Sequence, residues 1–190
     1  MQPTAAEPAE PLFDGYERTN ADPPLYSEST YAFLNRAAGD RWSKIRALLE
    51  EWYSHYPDEN KADLRGAFTV SIDSQHVGAW WELYIFSLYR HLGYEIEIHP
   101  EVTGTTHRPD FLVTRDGESK YVECTVDSKT DRQVTGNPGI EAAILDAVNA
   151  IDDGNFLVGL QFRQEGQRHP RRKQIIRDIG NWLRPSILTT

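Results

Sequence analysis

The stretch "QHVGAWWELYIFSLYRHL", residues 75–92, constrains the fold most. It is long enough for about five helical turns. Apolar residues cover most of its circumference, so the helix must be buried on several sides. Gly93 ends it. The chain beyond Gly93 has to supply covering layers. "YEIEIHP" alternates, with Ile96 and Ile98 on one face and Glu95, Glu97 and His99 on the other, as a half-buried strand closed by Pro100. "PDFLVT" is a second strand with Pro109 at its first position. "RDGE" is an Asp-Gly hairpin turn, and "KYVECTV" a third strand. "PGIEAAILDAVNAI" predicts an amphipathic helix with Pro138 near its start. "NFLVGLQF", residues 155–162, is continuously apolar and predicts a central strand. "PRRKQIIRDIGNWL" predicts a last helix.

Three strands joined by short turns are antiparallel neighbours, whereas a fourth that arrives through a helix runs parallel to its partner. The expected fold class is therefore α/β: a three-layer α/β/α core with a four-stranded mixed sheet over residues 75–190. Residues 29–74 predict a helical extension. Ser29 or Thr30 caps a first helix and Asp40 a second, in which Trp42, Ile45, Leu48, Leu49 and Trp52 keep helical spacing. "DENKADLRGAF" is a third, ended by Gly66. Trp42, Trp52, Tyr53 and Tyr56 there point to packing or a homodimer surface rather than a base-stacking platform. Residues 1–28 hold six acids against one base and five prolines, a composition expected to be disordered.

The net charge of −9 argues against non-specific nucleic-acid binding unless a local patch reverses the sign. One such patch exists: Arg163, Arg168, Arg171, Arg172, Lys173 and Arg177 lie close together, with only Glu165 among them. Several fall at the start of the last helix, where free N–H groups also favour phosphate. A single cysteine, Cys124, excludes an internal disulfide framework and any multi-cysteine zinc site. No stretch approaches 18 apolar residues, and the N-terminus lacks a basic-then-apolar signal. The expectation is a soluble cytoplasmic protein that does not engage membranes.

Strand periodicity places the acids. Tyr121, Glu123 and Thr125 share one face of the third strand, and Val122, Cys124 and Val126 the other. Cys124 thus faces away from the acids as a small buried residue. Asp110 and Leu112 share a face of the second strand. In the right register Asp110 and Glu123 lie side by side, which is destabilising unless a cation bridges them. Oxygen ligands with waters suit Mg²⁺. Glu82 is the lone acid between His76 and Leu92, and an acid on so apolar a helix needs a partner. His91, His99 and His107 read as structural or solvent-facing.

The helix with Glu82, then "RPD", then "VECT", then helix, strand and helix, resembles the PD-(D/E)xK nuclease superfamily, with its restriction-endonuclease-like fold, over about residues 75–184. The resemblance implies Asp110 and Glu123 as ligands of Mg²⁺ or Mn²⁺, Glu82 as an accessory ligand and the Cys124 carbonyl as a backbone ligand. Thr125 stands where the family has a lysine that orients the attacking water. A threonine hydroxyl hydrogen-bonds water or phosphate but supplies no cation. Lys120 lies on the opposite face. Lys129 has the right parity beyond the strand end, and Arg108 is another nearby cation. The implied activity is a metal-dependent endonuclease on DNA rather than RNA, with Asp110, Glu123, Thr125 and Lys129 catalytic. Arg108, Arg168, Arg171, Arg172 and Lys173 would contact the nucleic acid. The alternative is a catalytically weakened module on the same fold that binds DNA or a protein partner.

Overall fold

The computed structural model describes residues 10–126, 138–151, 158–162, 169 and 171–183. The chain divides into two compact units, one of residues up to Asp22 with Ser29–Asp127, the other of Pro23–Glu28 with Ser128–Thr190.

The first unit opens with three helices, α1 (Thr30–Arg36), α2 (Asp40–Ser54) and α3 (Asp58–Thr69). Ser29 caps α1, its Oγ accepting the Ala32 N–H at 3.3 Å. The other end of α1 is closed by Arg46, which is buried and donates to the carbonyls of Leu34 (2.7 Å) and Ala37 (2.8 Å). Those carbonyls lie at the helix end, where in-helix partners run out. Asp40 does not cap α2; it is that helix's first residue, and Gly39, at φ +105°, holds the cap position. Nor does Gly66 end α3, which continues to Thr69 and buries Phe68 completely. Core packing there outweighs the low helix propensity of glycine.

The long apolar helix is α4 (Asp73–His91), with His76, Ala79, Leu83 and Phe86 buried along one stripe. Gly93, at φ +79°, stops it. Its N–H reaches the Arg90 carbonyl and the Tyr94 N–H that of Tyr89, both at 3.0 Å, satisfying two end carbonyls. His76 ties α4 to α3: its Nδ1 lies 2.6 Å from the Phe68 carbonyl, which can only accept, so Nδ1 carries the proton. Burial pushes the His76 pKa down and keeps the ring neutral, against the smaller opposing pulls of the Phe68 carbonyl and Asp73.

Three strands come next: β1 (Glu95–Ile98), β2 (Phe111–Arg115) and β3 (Glu118–Val122), in the order β1-β2-β3, all antiparallel. Asp116 (φ +54°) and Gly117 (φ +81°) form the two-residue turn between β2 and β3, a conformation that suits an Asp-Gly pair. Phe111 and Val113 face inward and are fully buried. They complete one core with Leu49, Tyr53 and Phe68 from the early helices, Tyr56 from the turn between α2 and α3, and Leu83 and Phe86 from α4. Leu12 and Phe13 join that core, although the surrounding composition predicts disorder; the Phe13 N–H is held by Glu50 Oε1 at 2.8 Å.

The four-stranded mixed sheet is not found. Among the described residues the sheet has three antiparallel strands, accompanied by six helices. The expected fourth strand is not formed by the described part of its run, residues 158–162. Residues 155–157 lie outside the described part, and 158–162 pair with nothing in it. Val158, Leu160 and Phe162 each keep more than a third of their surface exposed. A continuous apolar run carries no alternation, so it specifies neither a face nor a register.

In the second unit, α5 (Pro138–Asn149) and α6 (Arg172–Leu183) pack on one another. Its segment 23–28 is anchored by Asp146. That carboxylate accepts the N–H groups of Tyr26 (2.6 Å) and Ser27 (3.2 Å) and the Ser27 hydroxyl (2.5 Å). Among the described residues no helix is long and apolar enough to cross a membrane.

Candidate acidic site at the end of the sheet

Continuing each ladder by one step sets His99 opposite Asp110 and Asp110 opposite Glu123. The first step is made: the His99 N–H donates to the Asp110 carbonyl at 2.9 Å. His99 takes a left-handed backbone there (φ +47°), an uncommon and costly choice for a residue with a Cβ. On the other side β3 ends at Val122, and the next contact is made by a side chain. The Cys124 N–H donates to Asp110 Oδ2 at 2.5 Å. Pro109, buried and without an N–H, precedes the aspartate.

Glu82 approaches from α4. It is half-buried, and Tyr56 donates its phenol O–H to Oε1 at 2.5 Å. Burial raises the Glu82 pKa; the Tyr56 bond opposes this, Asp110 raises it further, and His99 lowers it. Tyr56 is itself kept protonated far above the usual phenol range by burial and by Glu82. Among the described residues no cation forms a salt bridge with Glu82 or with Asp110.

Cys124 does not face away from the acids. It packs partly against the core, as strand parity requires, yet lies beside Asp110. Parity stops applying where β3 ends. Burial first, and the Asp110 carboxylate second, push the thiol up to about 12, so it is not a thiolate at neutral pH.

Glu123 is more open, with 45% of its side chain exposed, and its Oε2 lies 3.6 Å from His107 Nε2. Thr125 is exposed. Arg108 is committed elsewhere, its guanidinium 2.7 Å from Glu101. Lys129 and Arg168 lie outside the described residues. Arg171, Arg172 and Lys173 are exposed at the start of α6, in the second unit. Asp110 thus meets Cys124 directly, Glu82 is tied to Tyr56 and feels the Asp110 charge, Glu123 lies at the surface beside His107, and Arg108 turns to a different partner.

Two members of the site are not expected from the sequence. Tyr56 reads there as packing, and His99 as a structural strand end. The alternation of "YEIEIHP" could align His99 with Asp110 once the register is known; no sequence signal connects Tyr56 to Glu82. Among the described residues no three of His, Cys, Asp and Glu gather as a preformed metal-ligating group. An all-protein tetrahedral cage of the zinc type is therefore not built from them. A hard cation such as Mg²⁺ is held through one or two carboxylates, with waters and substrate phosphate completing its shell, and carboxylates are what this site offers. No protein-family model, curated protein or solved structure matches the chain.

Proposed function

We propose that the chain is a metal-dependent nuclease of the PD-(D/E)xK kind, hydrolysing phosphodiester bonds in DNA rather than RNA. The observation that carries this reading is the pair of partly buried carboxylates each fixed by a neutral donor, Asp110 by the Cys124 N–H and Glu82 by the Tyr56 phenol, with the Asp110 charge felt at Glu82 and no salt bridge to either among the described residues. Carboxylates drawn together in a partly dry site repel, and a divalent cation removes that cost. Asp110 and Glu82 would hold Mg²⁺ or Mn²⁺, with Glu123 and the Cys124 carbonyl at its open side. Such an ion lowers the pKa of bound water and offsets charge on phosphate.

The protein's own residues prepare the oxygens. The Cys124 N–H fixes one oxygen of Asp110 and Tyr56 one oxygen of Glu82. Thr125, exposed beyond β3, offers a hydroxyl to phosphate or water. An imidazole also stands beside Glu123, with His107 Nε2 3.6 Å from its Oε2. The exposed Arg171, Arg172 and Lys173 are candidates for contact with the DNA backbone. The site itself stands on a three-stranded antiparallel sheet.

Purified protein with Mg²⁺ or Mn²⁺ and supercoiled plasmid tests the proposal. Losing an outer-shell partner of a metal typically costs 10–100-fold, so losing a ligand through Asp110→Ala costs more than about 100-fold. Wild type that cuts no faster than Asp110→Ala refutes the activity. The second reading, a nuclease-like module that binds without cutting, draws on Thr125 and on the commitment of Arg108 to Glu101. It predicts retained DNA binding with no heat of Mg²⁺ or Mn²⁺ uptake.

A further inference from the structure

Glu82 has a partner of an unusual kind. A buried carboxylate can be stabilised by an arginine or lysine, which cancels its charge, or by neutral donors, which leave the charge in place. Tyr56 is a neutral donor, and it is almost completely buried itself, with 2% of its surface exposed. Its ring meets Phe86 edge-on, with centroids 4.8 Å apart, so the phenol is fixed from the core side. Its hydroxyl takes Glu82 Oε1 at 2.5 Å. Among the described residues Oε2 has no hydrogen-bond partner. A core selected for stability alone would have an apolar residue or an ion pair here. The arrangement fixes one Glu82 oxygen on a neutral donor and leaves the other open among the described residues, within the reach of the Asp110 charge.

Tyr56 comes from the turn between α2 and α3, where its N–H is bonded to the Tyr53 carbonyl at 3.1 Å and Pro57 is the next residue. It lies well before the segment with Glu82, Asp110 and Glu123. The helices ahead of α4 share one core with the sheet, and through Tyr56 they also reach the acids. We propose that Tyr56 is a positioning residue for the acidic site, its buried phenol holding the Glu82 carboxylate toward Asp110 and thereby setting the site's affinity for a divalent cation. The helices α2 and α3 are then part of the catalytic unit. This inference rests on the metal-site reading.

The test compares two buried hydroxyls in the full-length chain. Tyr56→Phe removes the hydroxyl that holds Glu82. Tyr53→Phe removes one of the same kind that bonds the Lys61 carbonyl at 3.1 Å, away from the acids. Phenylalanine keeps the ring in both, so both variants keep their core packing, which melting temperature verifies. Mn²⁺ affinity is measured by calorimetry at one fixed pH. Expected is a loss of about 10–100-fold for Tyr56→Phe, the usual cost of an outer-shell partner, and less than about twofold for Tyr53→Phe. In a Glu82→Gln background, Tyr56→Phe causes little further loss, because its effect runs through that carboxylate.

Equal affinities in Tyr56→Phe and Tyr53→Phe overturn the inference and leave the metal site standing. Full additivity with Glu82→Gln also overturns it. A wild type that takes up no Mn²⁺ overturns the metal-site reading, and the inference with it. If Tyr56→Phe is unfolded, Glu82→Gln decides with Tyr56 in place: Mn²⁺ affinity equal to wild type removes any role for the pair.

Discussion

Glu82→Gln keeps the shape of the side chain and an oxygen for the Tyr56 phenol while removing the charge. In the wild type, burial raises the Glu82 pKa above its ordinary value of 4.5 and Asp110 adds to the shift. The sign comes from linkage. A carboxyl with a folded pKa above its unfolded one binds its proton more tightly when folded. Its ionised form therefore destabilises the fold at neutral pH. That penalty fades as pH falls through the folded value toward the unfolded one. The variant should gain stability at pH 7.5 and lose its advantage near pH 4.5. One group changes stability by at most about 1.4 kcal/mol per pH unit. Relieving a poorly compensated buried charge returns about 1–3 kcal/mol. For a chain of this size, 1 kcal/mol corresponds to about 2–4 °C in melting temperature. The assay is thermal melting in chelator at several pH values, monitored through tryptophan fluorescence, with Trp80 and Trp81 the two residues before the substitution. The same variant should bind Mn²⁺ measurably but more weakly and cleave DNA more slowly. Higher stability with lower function is the signature of a residue retained for its site. A variant less stable than wild type at pH 7.5, or one whose profile runs parallel to the wild type's, refutes the reasoning.

His76 and Asp146 carry the remaining predictions. His76 is buried neutral with its pKa lowered, so its contribution is present above the unfolded value near 6.5 and is lost as pH falls from there toward the folded value. Urea titrations at pH 7.5 and 5.5 should show a steeper loss in wild type than in His76→Gln, by up to about 1.4 kcal/mol per pH unit; equal losses contradict this. At Asp146 burial acts to raise the pKa, but the Ser27 hydroxyl and the N–H groups of Tyr26 and Ser27 outweigh it and hold the carboxyl below its ordinary value of 3.8. Its stabilisation is present above 3.8 and is lost as pH falls through the folded value. Asp146→Asn should cost about 1.5–3 kcal/mol, the worth of a hydrogen bond to a charged group, and speed amide exchange at Tyr26 and Ser27. Unchanged protection at those two amides contradicts the anchoring role.

Much of the site's scaffold is legible in the sequence because periodicity is a local signal. The helix of α4, the alternation of β1 and the Asp-Gly turn each arise from a few neighbouring residues, although α4 buries one stripe and leaves Trp81 and Leu88 exposed rather than being buried on several sides. Together they set the register that aligns Asp110 with Glu123. The illegible part depends on contacts distant in sequence or on where an element stops. Leu12 and Phe13 are buried because Glu50 and the core receive them, which the Pro-rich composition around them does not reveal. Strand parity misplaces Cys124, because it does not hold two residues past Val122, where the ladder gives way to the Asp110 side chain. The run at 155–162 has no pattern that could specify a sheet position. Tyr56 meets Glu82 across 26 residues, and only the packing of the first unit brings them together.

Locating the ion is the most direct test of the central claim. Fe²⁺ can replace Mg²⁺ at a carboxylate site, and with ascorbate and peroxide it cuts the backbone beside the place where it binds. A metal held by Asp110 and Glu82 predicts cuts clustered near residues 82, 110 and 123, suppressed by excess Mg²⁺ and lost in Asp110→Asn. No Mg²⁺-sensitive cutting, or cuts confined to other parts of the chain, would contradict it.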